Sequence, residues 1–141
     1  RPVVLIASGT GFAPLKSMVL DALWRRLDGP ARLYWGGRRP ADLYMDGLAR
    51  SWAARYPGFS YVPVVSDATV QDTWAGRRGW VHEAVMEDFP DLRGYDVYAC
   101  GVPAMVQAAQ KDLVARCGLA PERFFADLFL TTADRQIQSQ P

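Results

Sequence analysis

The chain has 141 residues, of which 50% are hydrophobic and 22% charged, and its formal net charge is +1 at pH 7. These values are typical of one globular domain with a sizeable core, and the small net charge gives no basic surface of the kind that binds nucleic acid. No apolar run approaches the roughly 20 residues of a membrane span. No signal peptide precedes the first predicted strand.

The two cysteines, Cys100 and Cys117, are too few for a disulfide framework and lack the spacing of a metal site. We therefore expect reduced thiols, no metal ligands and a cytoplasmic protein. The chain begins almost inside a predicted strand, so we expect it to be a piece of a longer protein.

The first predicted element is a strand that leads into a glycine turn and a helix. Residues 3–7 are all apolar, as in a parallel strand that is covered on both faces. Gly9 and Gly11 allow a tight turn close to a ligand, and Pro14 is tolerated in the first turn of a helix. Because a helix N-terminus attracts phosphate, this turn is a candidate pyrophosphate site, with an ordinary strand–helix turn as the alternative.

Strands and helices alternate along the rest of the chain. The predicted strands are residues 3–7, 32–36, 59–65, 95–100 and 123–127. The predicted helices are residues 15–27, a segment from near Asp42 to residue 56, residues 80–89, and residues 103–117 with Gly118 as a cap. Glu87 and Asp88 are expected on the exposed side of the third helix. Pro63 predicts that the third strand lies at a sheet edge, and residues 131–141 are predicted to be a disordered tail.

This alternation predicts an α/β fold, a doubly wound five-stranded parallel sheet with helices on both faces. Right-handed crossovers and an edge third strand favour the strand order 3-2-1-4-5. The order of the strands then reverses between strands 1 and 4, where such sheets bind ligands outside the carboxyl ends of the strands. The turn at residues 8–11 and the pair Cys100 and Gly101 would therefore face one crevice.

The first turn departs from the common dinucleotide fingerprint, G-x-G-x-x-G. Pro14 stands at the third glycine position, and Gly-Gly-Arg-Arg replaces the acidic residue expected after strand 2. A P-loop is excluded because no Gly-Lys-Ser/Thr follows.

The paired glycine turns and the aromatic segment near the C-terminus resemble the NAD(P)-binding domain of the ferredoxin–NADP reductase family. The chain is most similar to the branch that contains oxygenase reductase components and CDP-6-deoxyhexose reductase-like enzymes, and the resemblance extends from about Val3 to about Phe129. The matching segments are Gly9-Thr10-Gly11-Phe12-Ala13-Pro14, Trp35-Gly36-Gly37-Arg38-Arg39, Asp42-Leu43-Tyr44, Gly79-Trp80-Val81-His82, Tyr98-Ala99-Cys100-Gly101 and Phe125-Ala126-Asp127-Leu128-Phe129.

The resemblance implies roles for individual residues. The first turn would bind the pyrophosphate through Gly9, Thr10, Gly11 and Pro14, with Thr10 close to the nicotinamide. Cys100, Gly101 and Val102 would lie beneath the nicotinamide ring, Val102 replacing a proline that is common in the family. Asp127 and Phe129 would take the places of the family's carboxylate and flavin-shielding aromatic residue. A buried hydrophobic role for Cys100, and core roles for Phe125 and Phe129, remain the alternatives.

The choice of cofactor depends on the loops after strands 2 and 3. Gly37, Arg38 and Arg39 form the first loop, where either arginine could bind a 2′-phosphate or simply be solvated. Ser66 opens the second loop and is followed by Asp67, whose carboxylate would repel a phosphate. We therefore predict that NADH is preferred to NADPH.

The resemblance implies a domain that presents NADH to FAD for hydride transfer, in a flavin-dependent electron-transfer reductase. Residues 1–130 would form the NAD(P)-binding domain. The FAD domain, and a [2Fe–2S] or ferredoxin-like domain or an oxygenase partner, would lie outside this chain, which alone would be inactive. A nucleotide-binding module without a redox role and a methyltransferase-like doubly wound enzyme are the alternatives.

Overall fold

The structure is a computed structural model that describes residues 2–9, 16 and 30–128. Six parallel strands form one sheet in the order β4-β3-β2-β1-β5-β6. The strands are β1 (Val3–Ser8), β2 (Ala31–Gly37), β3 (Phe59–Val65), β4 (Arg77–Arg78), β5 (Asp96–Gly101) and β6 (Phe124–Leu128). The order predicted for the five main strands is confirmed, and the two-residue strand β4 is an addition to it.

Three helices are described, α1 (Asp46–Arg55), α2 (Val81–Asp88) and α3 (Pro103–Cys117). The predicted helix over residues 15–27 lies outside the described residues, apart from Lys16. In this part of the chain no helix is long and apolar enough to cross a membrane.

The sheet separates two hydrophobic cores, because alternate residues of each strand point to opposite faces. Tyr34 and Trp35 are neighbours in β2, and both are fully buried, but they lie in different cores. Helices α2 and α3 cover the core that contains Tyr34, whereas α1 covers the core that contains Trp35. The prediction of helices on both faces is therefore confirmed.

The register aligns the carboxyl ends of the central strands. Ser8, the last residue of β1, pairs with Gly36 in β2, and the preceding residue, Ala7, pairs with Cys100 in β5. The predicted reversal of strand order between β1 and the strand that ends at Cys100 and Gly101 is confirmed. Two glycine-bearing strand ends therefore meet on either side of β1.

Two sequence-based predictions about this half of the sheet need correction. Helix α1 begins at Asp46 and not near Asp42, since residues 40–42 form a 3₁₀ turn instead. β3 does not form the outermost strand along its whole length, because β4 pairs with Val64 and Val65. The loop predicted over residues 66–79 thus contains β4, together with a 3₁₀ turn at Val70–Asp72.

Candidate nucleotide-binding site

A cleft of about 650 Å³ crosses the carboxyl ends of β1, β2 and β3 and the N-terminal ends of α2 and α3. This is the position at which doubly wound sheets bind ligands. The described residues that line it are Ser8, Gly9, Gly36, Gly37, Arg38, Ala41, Asp42, Tyr44, Ser66, Gly79, Trp80, Val81, Val102 and Met105.

The turn after β1 is fixed at its base and open towards the cleft. Gly9 has a φ of +54°, and a Cβ added there would meet no atom of the described residues within 4 Å. Its carbonyl oxygen accepts a hydrogen bond from the Trp35 indole N–H at 3.3 Å. A buried side chain of β2 thus anchors the turn, while the absence of a side chain at Gly9 leaves room for a ligand.

The end of β5 approaches β1 so closely that only glycine fits. Gly101 has a φ of +154°, and a Cβ there would collide with the Ser8 hydroxyl oxygen. That oxygen also accepts the backbone N–H of Val102 at 3.4 Å. Ser8 and Gly101 together form the floor between the two strand ends.

Helix α2 and two exposed aromatic residues form another wall of the cleft. A Cβ added at Gly36 would lie 2.7 Å from the Val81 Cβ, so a glycine allows the helix to begin directly over the end of β2. Trp80 is 62% exposed and Tyr44 is 55% exposed, and Tyr44 packs edge-on against Trp35 with ring centroids 5.2 Å apart. Neither Trp80 nor Tyr44 is among the residues that were predicted to form the site. Trp80 directly precedes α2 and Tyr44 lies two residues before α1, and these positions were the available signal.

Two backbone hydrogen bonds join the loops that follow β2 and β3. The N–H of Ser66 donates to the Gly37 carbonyl at 2.9 Å, and the N–H of Asp67 donates to the Arg38 carbonyl at 2.8 Å. The carboxylate of Asp67 also lies 3.5 Å from the Arg38 guanidinium, although both side chains are well exposed. The residues predicted to select the cofactor are therefore neighbours at one end of the cleft.

Arg39 does not line the cleft, and its side chain is held by Asp72. Its Nε and Nη2 donate to the two carboxylate oxygens of Asp72 at 2.7 and 2.8 Å. The hydrogen bonds from Arg39 and from the backbone of Thr69 hold the pKa of Asp72 well below its usual value.

The structure brings five of the predicted site residues to the cleft, namely Gly9, Gly37, Arg38, Ser66 and Val102. Cys100 is only 1% exposed and lies in the core that α1 covers, which leaves its contact with a nicotinamide ring a prediction. Asp127 pairs with Cys100 through the β5–β6 register. Thr10, Gly11, Pro14 and Phe129 lie outside the described residues, as does the side chain of Asp127.

Comparison with known proteins shows which family has this arrangement. The family model for the oxidoreductase NAD-binding domain matches residues 5–111. A CDP-6-deoxy-L-threo-D-glycero-4-hexulose-3-dehydrase reductase from Yersinia pestis is 45% identical over 92% of the chain, which covers 38% of that protein. Reductase component 1 of terephthalate 1,2-dioxygenase from Comamonas sp is 34% identical over 94% of the chain, which covers 39% of that protein.

A solved structure agrees with the sequence relatives. The Amycolatopsis cytochrome P450 reductase GcoB is 41% identical and superposes with a TM-score of 0.81, over 91% of this chain and 37% of that one. The chain therefore spans less than two fifths of the length of several of its relatives. Since the family match extends over most of the chain, from residue 5 to residue 111, this chain is a member of the oxidoreductase NAD-binding domain family.

Proposed function

We propose that this domain binds NADH and presents the nicotinamide to FAD held by another domain of its parent protein. From FAD the electrons would pass to an iron–sulfur centre or an oxygenase partner. Two of the relatives, a dehydrase reductase and a dioxygenase reductase component, support this class of activity. The observation that carries the proposal is the cleft that the open turn at Gly9 lines together with Ser8, on which Gly101 packs, and Val102, which follows Gly101.

The residues at the cleft suit the three parts of a dinucleotide. The turn at Gly9 would accommodate the pyrophosphate, together with Thr10, Gly11 and Pro14, because it has no side chain in the way. The floor at Gly101 would support the nicotinamide, with Cys100 beneath it as a small, polarizable group. Thr10 would lie close to the nicotinamide, and Asp127 and Phe129 would take the places of the family's carboxylate and flavin-shielding aromatic residue. NADH supplies the hydride, and the protein binds and orients the ring.

The loops after β2 and β3 favour NADH over NADPH. Asp67 can accept a hydrogen bond from the 2′-hydroxyl of the adenosine ribose, and its charge opposes a 2′-phosphate. Arg38 is already paired with Asp67. We also retain the cytoplasmic location as a prediction from cysteine usage.

Calorimetric titration of the chain with NAD⁺, NADP⁺ and S-adenosylmethionine tests the proposal. We expect NAD⁺ to bind more tightly than NADP⁺, and S-adenosylmethionine not to bind. In ¹H–¹⁵N spectra, the shifts caused by NAD⁺ should cluster at Gly9, Gly37 and Gly101. Tighter binding of NADP⁺ would contradict the NADH assignment, and no binding of either nucleotide would contradict the function itself.

A further inference from the structure

The short loop after β2 has its own cap, which uses the backbone donors of both arginines. The N–H groups of Arg38 and Arg39 donate to the same carboxylate oxygen of Asp42, at 3.1 and 2.9 Å. A phosphate arriving at this loop would therefore find both amides occupied. Any binding energy for a 2′-phosphate would have to come from the guanidinium groups.

Asp72 holds the guanidinium of Arg39 in a two-bond ion pair. Arg39 also donates to the Thr69 hydroxyl at 3.3 Å. Asp72 in turn accepts from the Thr69 backbone N–H at 2.7 Å and lies 3.1 Å from the Thr69 hydroxyl. Four donors thus converge on one carboxylate that is only 18% exposed, which makes this pair better ordered than the single 3.5 Å contact between Arg38 and Asp67.

Charge at the two loops also opposes an additional anion. The two guanidinium groups of Arg38 and Arg39 face the carboxylates of Asp42, Asp67 and Asp72, which leaves one net negative charge. Of the two arginines of β4, Arg77 is paired with Glu87 and Asp88, while an Nη2 of Arg78 donates to the Trp74 carbonyl.

We propose that Asp72 is a specificity-determining residue: it holds Arg39 against the loop after β3 and so withholds that guanidinium from a nucleotide 2′-phosphate. Arg39 directly follows Arg38, which lines the cleft, so a released Arg39 side chain would be next to the adenosine end of the site. This inference rests on the proposed binding of NADH. It adds that the discrimination between NADH and NADPH depends on Asp72, which does not line the cleft.

The test compares the dissociation constants of NADP⁺ and NAD⁺ in wild-type, Asp72→Asn and Asp91→Asn chains. Asp91 forms an equivalent two-bond pair with Arg93 before β5, near the opposite edge of the sheet, so its variant is a matched control. We expect the ratio of the NADP⁺ to the NAD⁺ constant to fall about tenfold in Asp72→Asn, or ~1.4 kcal/mol. The ratio should not change in Asp91→Asn.

Two further variants test whether the Arg39 guanidinium causes the change in the ratio. In the double variant Arg39→Ala/Asp72→Asn the ratio should return to the wild-type value, because the released guanidinium is gone. Arg39→Lys keeps both charges but cannot form the two-bond pair. It should therefore lower the ratio of the NADP⁺ to the NAD⁺ constant by a smaller factor. If Asp72→Asn does not fold, Arg39→Lys tests the inference in its place.

The inference is overturned if the folded Asp72→Asn and Arg39→Lys chains bind NAD⁺ but keep the wild-type ratio. It is also overturned if Asp91→Asn changes the ratio as much as Asp72→Asn. A wild-type chain that binds neither nucleotide would overturn the proposed function, and this inference with it.

Discussion

Gly101 shows how one missing side chain shapes the site. Its φ of +154° and the collision of a Cβ with the Ser8 hydroxyl make both the conformation and the space unsuitable for any other residue. The same contact brings the ends of β1 and β5 together. A change here should therefore affect both stability and binding.

We expect Gly101→Ala to lower the free energy of unfolding by about 2 kcal/mol, because backbone strain and a steric collision add. NAD⁺ binding should weaken at the same time, since Ser8 and Val102, which line the cleft beside Gly101, must shift. Urea unfolding and calorimetry measure the two effects. Gly47→Ala is the control, because Gly47 lies in α1 and, in the part of the chain that the structure describes, no atom comes within 4 Å of an added Cβ. It should be neutral or stabilising by up to ~1 kcal/mol.

Trp80 provides a direct optical signal of nucleotide binding. Its ring is 62% exposed at the cleft, whereas Trp35 and Trp52 are buried. We expect NAD⁺ to quench tryptophan fluorescence and Trp80→Phe to remove most of that quenching. Trp52→Phe should leave the quenching in place, and a loss as large as that in Trp80→Phe would place the nucleotide elsewhere.

For individual residues, the sequence predicted well where glycines form turns, and it predicted poorly which aromatic residues are exposed. A glycine directly after an apolar strand indicates a tight turn, and Gly9, Gly101 and the helix cap Gly118 all have positive φ values. Trp80 and Tyr44 could not be recognised, because an aromatic residue in a sequence looks the same whether it fills a core or borders a cleft. The sequence likewise left open whether Cys100 is buried or faces the cleft, and in the structure it is buried.

Strand β2 and helix α2 are joined by a polar network around Asp88. The Tyr34 hydroxyl donates to Asp88 at 2.6 Å, and Arg77 donates to both oxygens of the same carboxylate at 2.9 and 3.0 Å. Burial and the neighbouring Asp88 raise the pKa of Tyr34, which keeps its hydroxyl a donor. The prediction that Asp88 lies on an exposed helix face was therefore wrong. The fully buried ring of Tyr34 needs an acceptor at the edge of its core.

We expect Asp88→Asn to destabilise the fold by roughly 1–3 kcal/mol at pH 7, because Arg77 loses a charged partner that it holds by two bonds. The hydrogen bond from Arg77 lowers the pKa of Asp88 below its usual value of 3.8. A lowered pKa stabilises the folded state above about pH 4, and this contribution disappears as the pH falls through the folded-state value.

The pH dependence of unfolding isolates this contribution. Between pH 5 and pH 3 the free energy of unfolding, measured with urea, should fall less steeply in Asp88→Asn than in wild type. Parallel slopes in Asp88→Asn and wild type would show that Asp88 does not titrate in this way.

The boundaries of elements were less predictable than their existence. The second helix was expected to begin near Asp42, but the carboxylate of Asp42 accepts the amides of Arg38 and Arg39 at a 3₁₀ turn, and α1 begins later, at Asp46. β4 was missed because two arginines carry no strand pattern. Their pairing with Val64 and Val65 is a tertiary contact. Local spacing cannot reveal such contacts.

The arrangement of the sheet was predictable because it follows from general rules of chain connection. Right-handed crossovers and a proline in β3 were sufficient to place β1 and β5 side by side. Nothing in the pattern could show that Arg39 pairs with Asp72 across two loops. That contact depends on how residues 66–72 return towards β2.

For the molecule as a whole, we expect the chain on its own to bind NAD⁺ without oxidising NADH. The proposed division of labour assigns the flavin to another domain, so hydride would have no acceptor here. Absorbance of the purified chain and an NADH–ferricyanide assay, each with and without added FAD, measure this. Co-purified flavin with steady turnover would contradict the proposed division.

The outer edge of β3 affects whether separate chains associate with one another. The Val65 carbonyl accepts an N–H from Gly79 beside β4, and since alternate residues of a strand face the same neighbour, Pro63 faces this side as well. Proline has no N–H to offer, which protects that part of the edge, whereas at Val64 and Val65 the edge is covered by β4. An uncovered edge strand with free donors is a template for pairing between chains. Shortening the Asp72 loop to alter cofactor choice should therefore remove β4 and promote self-association, which light scattering would detect.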